Sequence, residues 1–236
     1  MNVEQREILL KRAKEFFRTE IVQTHIEKSC KKAGKLKEYN VNPFLFKYLA
    51  NFLKGNDEPE SIAEALILPR ILGSSIATTF GMRIQDLISV LFEGLGSTTP
   101  GIDIEFIDST DNRKKYCQLK AGPNTINYDD VTTIVNHFSD IRNRARTNNL
   151  RIELDDLIVG VIYGESSGLS SHYKKLNQTF PVYVGQEFWY RLTGITEFYY
   201  ELIDAFGEVA LEMDGQNVIK NTIKSLAEDI KRNYFK

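Results

Sequence analysis

The stretch from Pro100 to Asn127 constrains the fold of this chain most strongly, because it has the pattern of two short strands joined by a polar turn. Apolar residues alternate with acids in its first part, and this period of two predicts a strand with one buried face. The apolar positions are Ile102, Ile104 and Phe106, and the acids are Asp103 and Glu105. The turn that follows is rich in Asp, Ser and Asn, which favour turns.

The second predicted strand is Tyr116–Lys120, and alternation places Gln118 and Lys120 on the face opposite Cys117. If the two strands pair as a hairpin, their polar side chains project from one side of a small sheet. Carboxylate and amide oxygens suit a hard cation such as magnesium. A neighbouring lysine can orient a water molecule or stabilise charge that develops on a phosphate. This pattern therefore favours metal-assisted hydrolysis of a phosphodiester.

An ordinary solvated strand pair has the same pattern. Acid–lysine pairs across neighbouring strands are common on sheet surfaces. On spacing alone the two interpretations have about equal support, so the hypothesis of an active site depends on the sequence around the hairpin.

Composition sets a few limits on function. The chain has 236 residues and a net charge of −2, so a DNA-binding surface must come from local segregation of charge. Cys30 and Cys117 lack the spacing of a zinc site, and they suit reduced thiols in a cytoplasm. The N-terminus lacks the apolar core of a signal peptide. No apolar run is expected to be long enough to cross a membrane.

Helical periodicity dominates the rest of the chain. The predicted helices are residues 3–33, a helix from Pro43 to Gly55, one from Pro59 that stops before Pro69, a stripe within 70–95, one that begins at Asp129, and two within 196–236. The aromatic residues of the second helix, including Phe44, Tyr48 and Phe52, are expected to be buried. A near-continuous apolar run at 156–163 predicts a strand buried on both faces, and 180–185 predicts a further strand.

The hairpin carries a resemblance to a known family. Pro100-Gly-Ile-Asp103 is followed, fifteen positions after Asp103, by Gln118-Leu-Lys120. Together they resemble the PD-(D/E)XK nuclease signature, with glutamine where the family usually has an acid. The loop Ala121–Asn127 resembles the segment after the catalytic lysine in type II restriction endonucleases that read interrupted GC-rich palindromes such as GGNCC. The order of hairpin, helix and buried strand is also that of the nuclease core.

The resemblance implies an α/β (α+β) fold, with a restriction-endonuclease-like mixed central β-sheet flanked by helices and an N-terminal helical subdomain. The expected segments are a helical subdomain over 1–69, a nuclease core over 70–194 and C-terminal helices packed on the core over 195–236.

The resemblance also implies a magnesium-dependent type II restriction endonuclease that hydrolyses double-stranded DNA. Asp103 would be the principal metal ligand, and Gln118 would contribute a side-chain or main-chain oxygen. Lys120 would position the attacking water and stabilise the transition state. Because both strands of a palindrome must be cut, a twofold homodimer is expected. The enzyme is expected to be cytoplasmic and not bound to a membrane.

Further residues are assigned by position. Glu105 is a reserve metal ligand, and Gln85 occupies the place where a preceding helix often contributes a glutamate. Asn124 and Asn127 either contact DNA or shape the turn after Lys120. Arg142 is a candidate for DNA phosphates. His137 has no partner pattern and is interpreted as structural or exposed.

Two other functions remain open at this stage. The loss of charge at Gln118 is compatible with a catalytically impaired nuclease fold that only binds DNA. A helical protein-interaction domain with an incidental small sheet would show neither DNA affinity nor metal dependence.

Overall fold

The computed structural model describes residues 3–40 and 42–234, so residues 1, 2, 41, 235 and 236 of the predicted segments lie outside the described residues. The α-helices are α1 Val3–Phe16, α2 Lys31–Ala33, α3 Pro43–Lys54, α4 Pro59–Pro69, α5 Ile76–Leu91, α6 Tyr128–Thr147, α7 Ser171–Leu176, α8 Gln186–Thr193, α9 Phe198–Glu212 and α10 Gly215–Tyr234. The strands are β1 Ile104–Ile107, β2 Lys114–Lys120, β3 Leu157–Val161 and β4 Val182–Val184. Wider π-helical turns cover Phe17–Gln23, Ile26–Cys30 and Arg70–Ser75.

The four strands form one mixed sheet in the order β1-β2-β3-β4. β1 and β2 are antiparallel, whereas β2, β3 and β4 are parallel to their neighbours. A parallel pair needs a long crossover connection, and α6 supplies it between β2 and β3. Helices flank this sheet, and the predicted mixed sheet with its order of hairpin, helix and strand is confirmed.

The described chain forms two compact units. One unit contains the chain up to Ala13 together with Ile84–Ala205, and the other contains Lys14–Arg83 and the chain from Phe206 onward. In the first unit every residue of β3 is buried, as the apolar run at 156–163 predicts. Phe138 of α6 and Tyr173 of α7 pack into the same core.

The second unit has its own hydrophobic core, in which Ile62 and Ile67 of α4 pack with Leu226 and Ile230 of α10. The two units therefore do not coincide with the expected segments 1–69, 70–194 and 195–236. The difference has a physical cause: α10 buries its apolar stripe among helices from the N-terminal third of the chain. Helical periodicity in a sequence shows that a stripe exists, but not which helix covers it.

α4 does not stop before Pro69, contrary to the expectation from the sequence, but includes it as its last residue. A π-helical turn, Arg70–Ser75, follows it and connects α4 to α5. The continuous run Pro59–Leu91 is, among the described residues, the one helix long and apolar enough to cross a membrane by length and composition alone. Core helices of soluble proteins meet the same criterion.

The outer face of α3 also differs from expectation. Asn42 caps this helix by accepting a hydrogen bond from Phe44 N, and Phe46 is buried, as predicted. Phe44, Tyr48 and Phe52, however, are 89%, 59% and 79% exposed. The aromatic density of the segment predicted burial, but these three residues lie on one helix face that no other described part of the chain covers.

Candidate active site

The hairpin brings Asp103 and Gln118 opposite each other. Ile104 pairs with Cys117 in the register of β1 and β2, so Asp103, one residue earlier, faces Gln118, one residue later. Asp103 N donates to Cys117 O at 3.0 Å, and Leu119 N donates to Asp103 Oδ2 at 2.6 Å. The carboxylate is thereby fixed against β2, with its second oxygen left for another partner.

A cavity of about 250 Å³ lies beside this pair. It is lined by Gly101, Ile102, Asp103, Gln118, Lys120, Asp130, Thr133, Ile134 and His137. The three side chains assigned to catalysis from the sequence, Asp103, Gln118 and Lys120, thus share one concave site. A water molecule occupies roughly 30 Å³ in the liquid, so the cavity has room for a hydrated cation or a phosphate group.

Asp130 contributes a second carboxylate that sequence reasoning assigned only to the start of a helix. Its Oδ1 lies 3.6 Å from Lys120 Nζ. Asp130 is also the third residue of α6, where its Oδ2 accepts from Asn127 N while Asn127 Oδ1 accepts from Asp130 N. This reciprocal capping box sets where α6 begins. In the sequence, the spacing of three residues from Asn127 to Asp130 is the signal that could have placed Asp130 in the first turn of a helix that begins just after Lys120 and its loop.

His137 is the second residue of the site that sequence reasoning missed. Its Nδ1 lies 2.7 Å from Gln118 Nε2, and the same amide nitrogen donates to Gly101 O. His137 follows Asp130 by seven residues, which is about two helical turns, so both side chains lie on one face of α6. The sequence shows this spacing, but it does not show that this face of α6 packs over the hairpin.

Glu105 and Gln85 do not reach the cavity. The Glu105 carboxylate accepts from Ser97 Oγ at 2.5 Å and Thr99 Oγ1 at 2.8 Å, and it forms an ion pair with Lys114 at 2.6 Å. Burial raises the pKa of Glu105, but these partners outweigh burial and lower it overall.

Gln85 lies next to the catalytic strand, since its Nε2 donates to Leu119 O at 2.9 Å. It supports the backbone between Gln118 and Lys120 and is not among the residues that line the cavity.

The candidate DNA-binding residues Asn124 and Asn127 lie in the loop between β2 and α6, and Arg142 lies on α6. Asn127 caps α6 through its side chain, which is the turn-forming role considered for it. Asn124 and Arg142 are exposed, and within the described residues Arg142 forms no ion pair. Arg142 is therefore free to contact a phosphate.

The donor set suits magnesium bound jointly with DNA. Among the described residues, no three His, Cys, Asp or Glu side chains gather into a metal cluster. The cavity offers instead the Asp103 carboxylate and the amide of Gln118. Magnesium commonly keeps several waters and is held by one or two carboxylates plus substrate phosphates. The residues present fit that kind of site.

The comparison with known protein families identifies one family. The model of the family Type II restriction endonuclease EcoO109I matches residues 8–214, most of the 236-residue chain. The match includes the hairpin, α6 and β3. No curated protein matches the sequence. The chain therefore belongs to the EcoO109I family of type II restriction endonucleases, enzymes that cut double-stranded DNA at specific sequences.

Proposed function

We propose that this enzyme hydrolyses phosphodiester bonds by a magnesium-dependent mechanism, with Asp103, Gln118 and Lys120 forming a D…QxK variant of the PD-(D/E)XK site. One observation carries the proposal: these three side chains line the same cavity. The hydrogen bond from Leu119 N to Asp103 also holds the carboxylate on the strand that carries the other two residues.

Each residue has a role in this proposal. Asp103 would hold the cation together with the side-chain amide of Gln118. Magnesium held by these residues would supply Lewis acidity and would make a water molecule easier to deprotonate. Lys120 orients the attacking water and stabilises negative charge on the phosphate. Asp130 keeps the ammonium group of Lys120 at the wall of the cavity.

We assign an interrupted GC-rich palindrome, of the GGNCC kind, as the recognition sequence. The support is the resemblance of the loop Ala121–Asn127 to its counterpart in enzymes with such sites. Asn124 of this loop contacts bases or phosphates in the proposal, and Arg142 contacts phosphates. The two free, buried cysteines fit a cytoplasmic enzyme in a reducing compartment.

The exposed face of α3 supports a twofold homodimer. Palindromic double-strand cutting calls for two active sites related by a twofold axis, and a twofold interface uses the same surface on both copies. Burying an aromatic side chain removes ~150–250 Å² from water, so pairing this face hides on the order of 1,000 Å² over both copies, enough for a specific interface. Its apolar residues are Phe44, Leu45, Tyr48, Leu49, Phe52 and Leu53.

The charges around this face also permit two copies to meet. Lys47 pairs with Asp57 at 2.9 Å, and Lys54 pairs with Glu64 at 3.0 Å, within the same chain. Because the neighbouring lysines are neutralised internally, like charges do not oppose each other across a twofold axis.

Cleavage of an unmethylated phage genome tests the catalytic proposal. Wild type is expected to give discrete fragments with magnesium and none with a chelator, and mapping the fragment ends gives the recognition sequence. Lys120→Ala is expected to bind the same DNA and cut it ~100-fold or more slowly, the usual cost of losing one charge-stabilising group. If the wild type binds DNA but cuts none of it, the alternative of a catalytically impaired DNA-binding protein is correct.

Light scattering tests the dimer. The double variant Phe44→Glu, Phe52→Glu is expected to be monomeric at concentrations where wild type is dimeric. Leu211→Glu is the control, since Leu211 is 86% exposed on α9 and lies outside the α3 face. If the double variant is still dimeric, the dimer interface does not involve the exposed face of α3.

A further inference from the structure

We propose that His137 is a positioning residue, which orients the side-chain amide of Gln118 so that its oxygen is available to the cation. This inference rests on the proposed metal-binding role of Gln118. It explains how a glutamine serves at a position where an acid is usual.

An amide at this position has a requirement that a carboxylate lacks. The two oxygens of a carboxylate are equivalent, so either rotamer presents an acceptor. An amide has one acceptor end and one donor end. If the amide of Gln118 were turned by 180°, its NH₂ group would occupy the oxygen's place and repel a cation. The site therefore needs a device that fixes the amide.

The contacts of the Gln118 side chain identify which end of its amide is the nitrogen and which is the oxygen. Gly101 O is a carbonyl and only accepts, so the amide atom next to it must be the nitrogen. The same nitrogen lies 2.7 Å from His137 Nδ1, which accepts the second N–H. His137 is consequently the tautomer with its proton on Nε2. Within the described residues, Nε2 makes both hydrogen bonds of the Gln118 side chain, and Oε1 makes none.

Burial gives the arrangement its strength. Gln118 is only 7% exposed, so water competes poorly for its amide protons. A reversed amide would set Oε1 against the Gly101 carbonyl oxygen and lose that hydrogen bond, and it could keep a bond to His137 only if the imidazole carried its proton on Nδ1. An unpaired polar group at such a place carries a desolvation cost, which favours the observed orientation.

Gly101 allows His137 to come close enough. Its φ of +81° lies in the left-handed region. A Cβ at this position would lie 2.4 Å from His137 Cγ and 2.6 Å from Nδ1, so the imidazole packs directly against the glycine backbone. The Pro-Gly part of the hairpin signature thus supplies both an acceptor for Gln118 and the space for the imidazole.

Titration of the full-length protein with Mn²⁺, followed by calorimetry, tests the role of His137. His137→Leu removes the acceptor and is expected to weaken Mn²⁺ binding about tenfold, as losses of outer-shell partners do. His137→Asn is the matched control, because its Oδ1 can accept in place of Nδ1, and it is expected to bind nearly as wild type. In a Gln118→Glu background, His137→Leu is expected to have little further effect, since a carboxylate needs no such orientation.

Two results would overturn the inference. One is wild-type Mn²⁺ affinity in His137→Leu, and the other is an equal loss from His137→Leu in the Gln118→Glu background, which would indicate general structural damage. Asp103→Ala separates this failure from failure of the site itself. If Asp103→Ala also leaves Mn²⁺ binding intact, the cation binds elsewhere and the proposed site is wrong.

The histidine tautomer gives a test that needs no variant to fold. Nitrogen-15 NMR of the wild-type protein distinguishes a proton on Nε2 from one on Nδ1. The Nε2–H form is expected for His137 in the neutral state. A neutral Nδ1–H form would mean that the ring donates where the inference requires it to accept, and it would overturn the proposal.

Discussion

Asp130 uses one carboxylate oxygen to hold Lys120 and the other to hold the first turn of its own helix. Oδ1 is 3.6 Å from Lys120 Nζ, and Oδ2 accepts from Asn127 N at 2.9 Å. The start of α6 and the position of the lysine are thereby coupled through one side chain. The coupling implies that changes at Asp130 affect both the local helix and cleavage.

Asp130→Asn is expected to slow single-turnover DNA cleavage by about two- to fivefold, because a partly exposed ion pair contributes ~0.5–1 kcal/mol. Asp129→Asn is the matched control, since Asp129 is an exposed acid next to it that does not line the cavity. Cleavage rates at saturating enzyme measure the effect. Equal rates for the two variants would show that the pair has no part in the reaction.

Gly101→Ala is expected to reduce both stability and cleavage. The substitution places a Cβ against the imidazole of His137 and forces a non-glycine residue to adopt a positive φ, a combination that costs ~1–3 kcal/mol. Thermal unfolding and cleavage assays measure the two effects. Gly96→Ala is the control, because a Cβ there has no heavy atom within 4 Å, and it should behave as wild type.

Asp156→Asn is expected to destabilise the fold by ~3 kcal/mol, which is typical when one partner of a buried ion pair is removed. Asp156 accepts from Arg113 Nε at 2.8 Å and lies 3.5 Å from Lys115 Nζ, whose side chain is fully buried. Urea unfolding measures the loss. Arg151→Gln, which breaks an exposed pair with Glu153, should cost less than ~0.5 kcal/mol.

Stability is expected to fall as the pH drops below about 4. Burial raises the pKa of Asp111 and Asp156, but the hydrogen bonds from Lys115 and Arg113 outweigh it and lower both values. A carboxyl with a lowered folded pKa stabilises the protein above its unfolded pKa of ~4, and this stability is lost as pH falls through the folded value. The midpoint of thermal unfolding between pH 7 and pH 3 measures this loss. Asp156→Asn should show a weaker dependence, and an unchanged slope would contradict the assignment.

The sheet was predictable because its strands carry local signals. The alternation of Ile102, Ile104 and Phe106 with acids gave the hairpin, and the apolar run around β3 gave a buried central strand. The register of a hairpin also depends on the turn that joins its strands, and in the structure it places Asp103 opposite Gln118.

The contributions of α6 to the site were not predictable in the same way. Asp130 and His137 reach the cavity only because the crossover packs α6 over the hairpin, and their partners lie 10 and 19 residues away in sequence. An acid in the first turn of a helix and a lone histidine on a helix face are common in unrelated proteins. Their chemistry depends on tertiary placement.

The positions of the helices were predicted in outline, but the sequence did not predict which helices pack against each other. Periodicity found α3 and α4, but the sequence could not show that α10 covers α4 while one face of α3 stays exposed. Pro69 was interpreted as a break because its missing N–H is unfavourable in a regular α-helix. In the structure Pro69 is nevertheless the last residue of α4, and the chain continues into a π-helical turn without a break.

The capping box at Asn127 has a consequence for how this enzyme can vary. A helix rises ~1.5 Å and turns ~100° per residue, so Asp130 and His137 are held ~10 Å apart along α6. The capping box fixes the residue at which this helix begins. If one residue were inserted between them, Asp130 would still contact Lys120. The imidazole of His137 would be rotated by about 100° around the helix axis, away from Gln118. An insertion or deletion between Asp130 and His137 is therefore expected to disrupt the site, whereas the exposed end of α6 beyond the buried Ala145 is expected to tolerate a change of length.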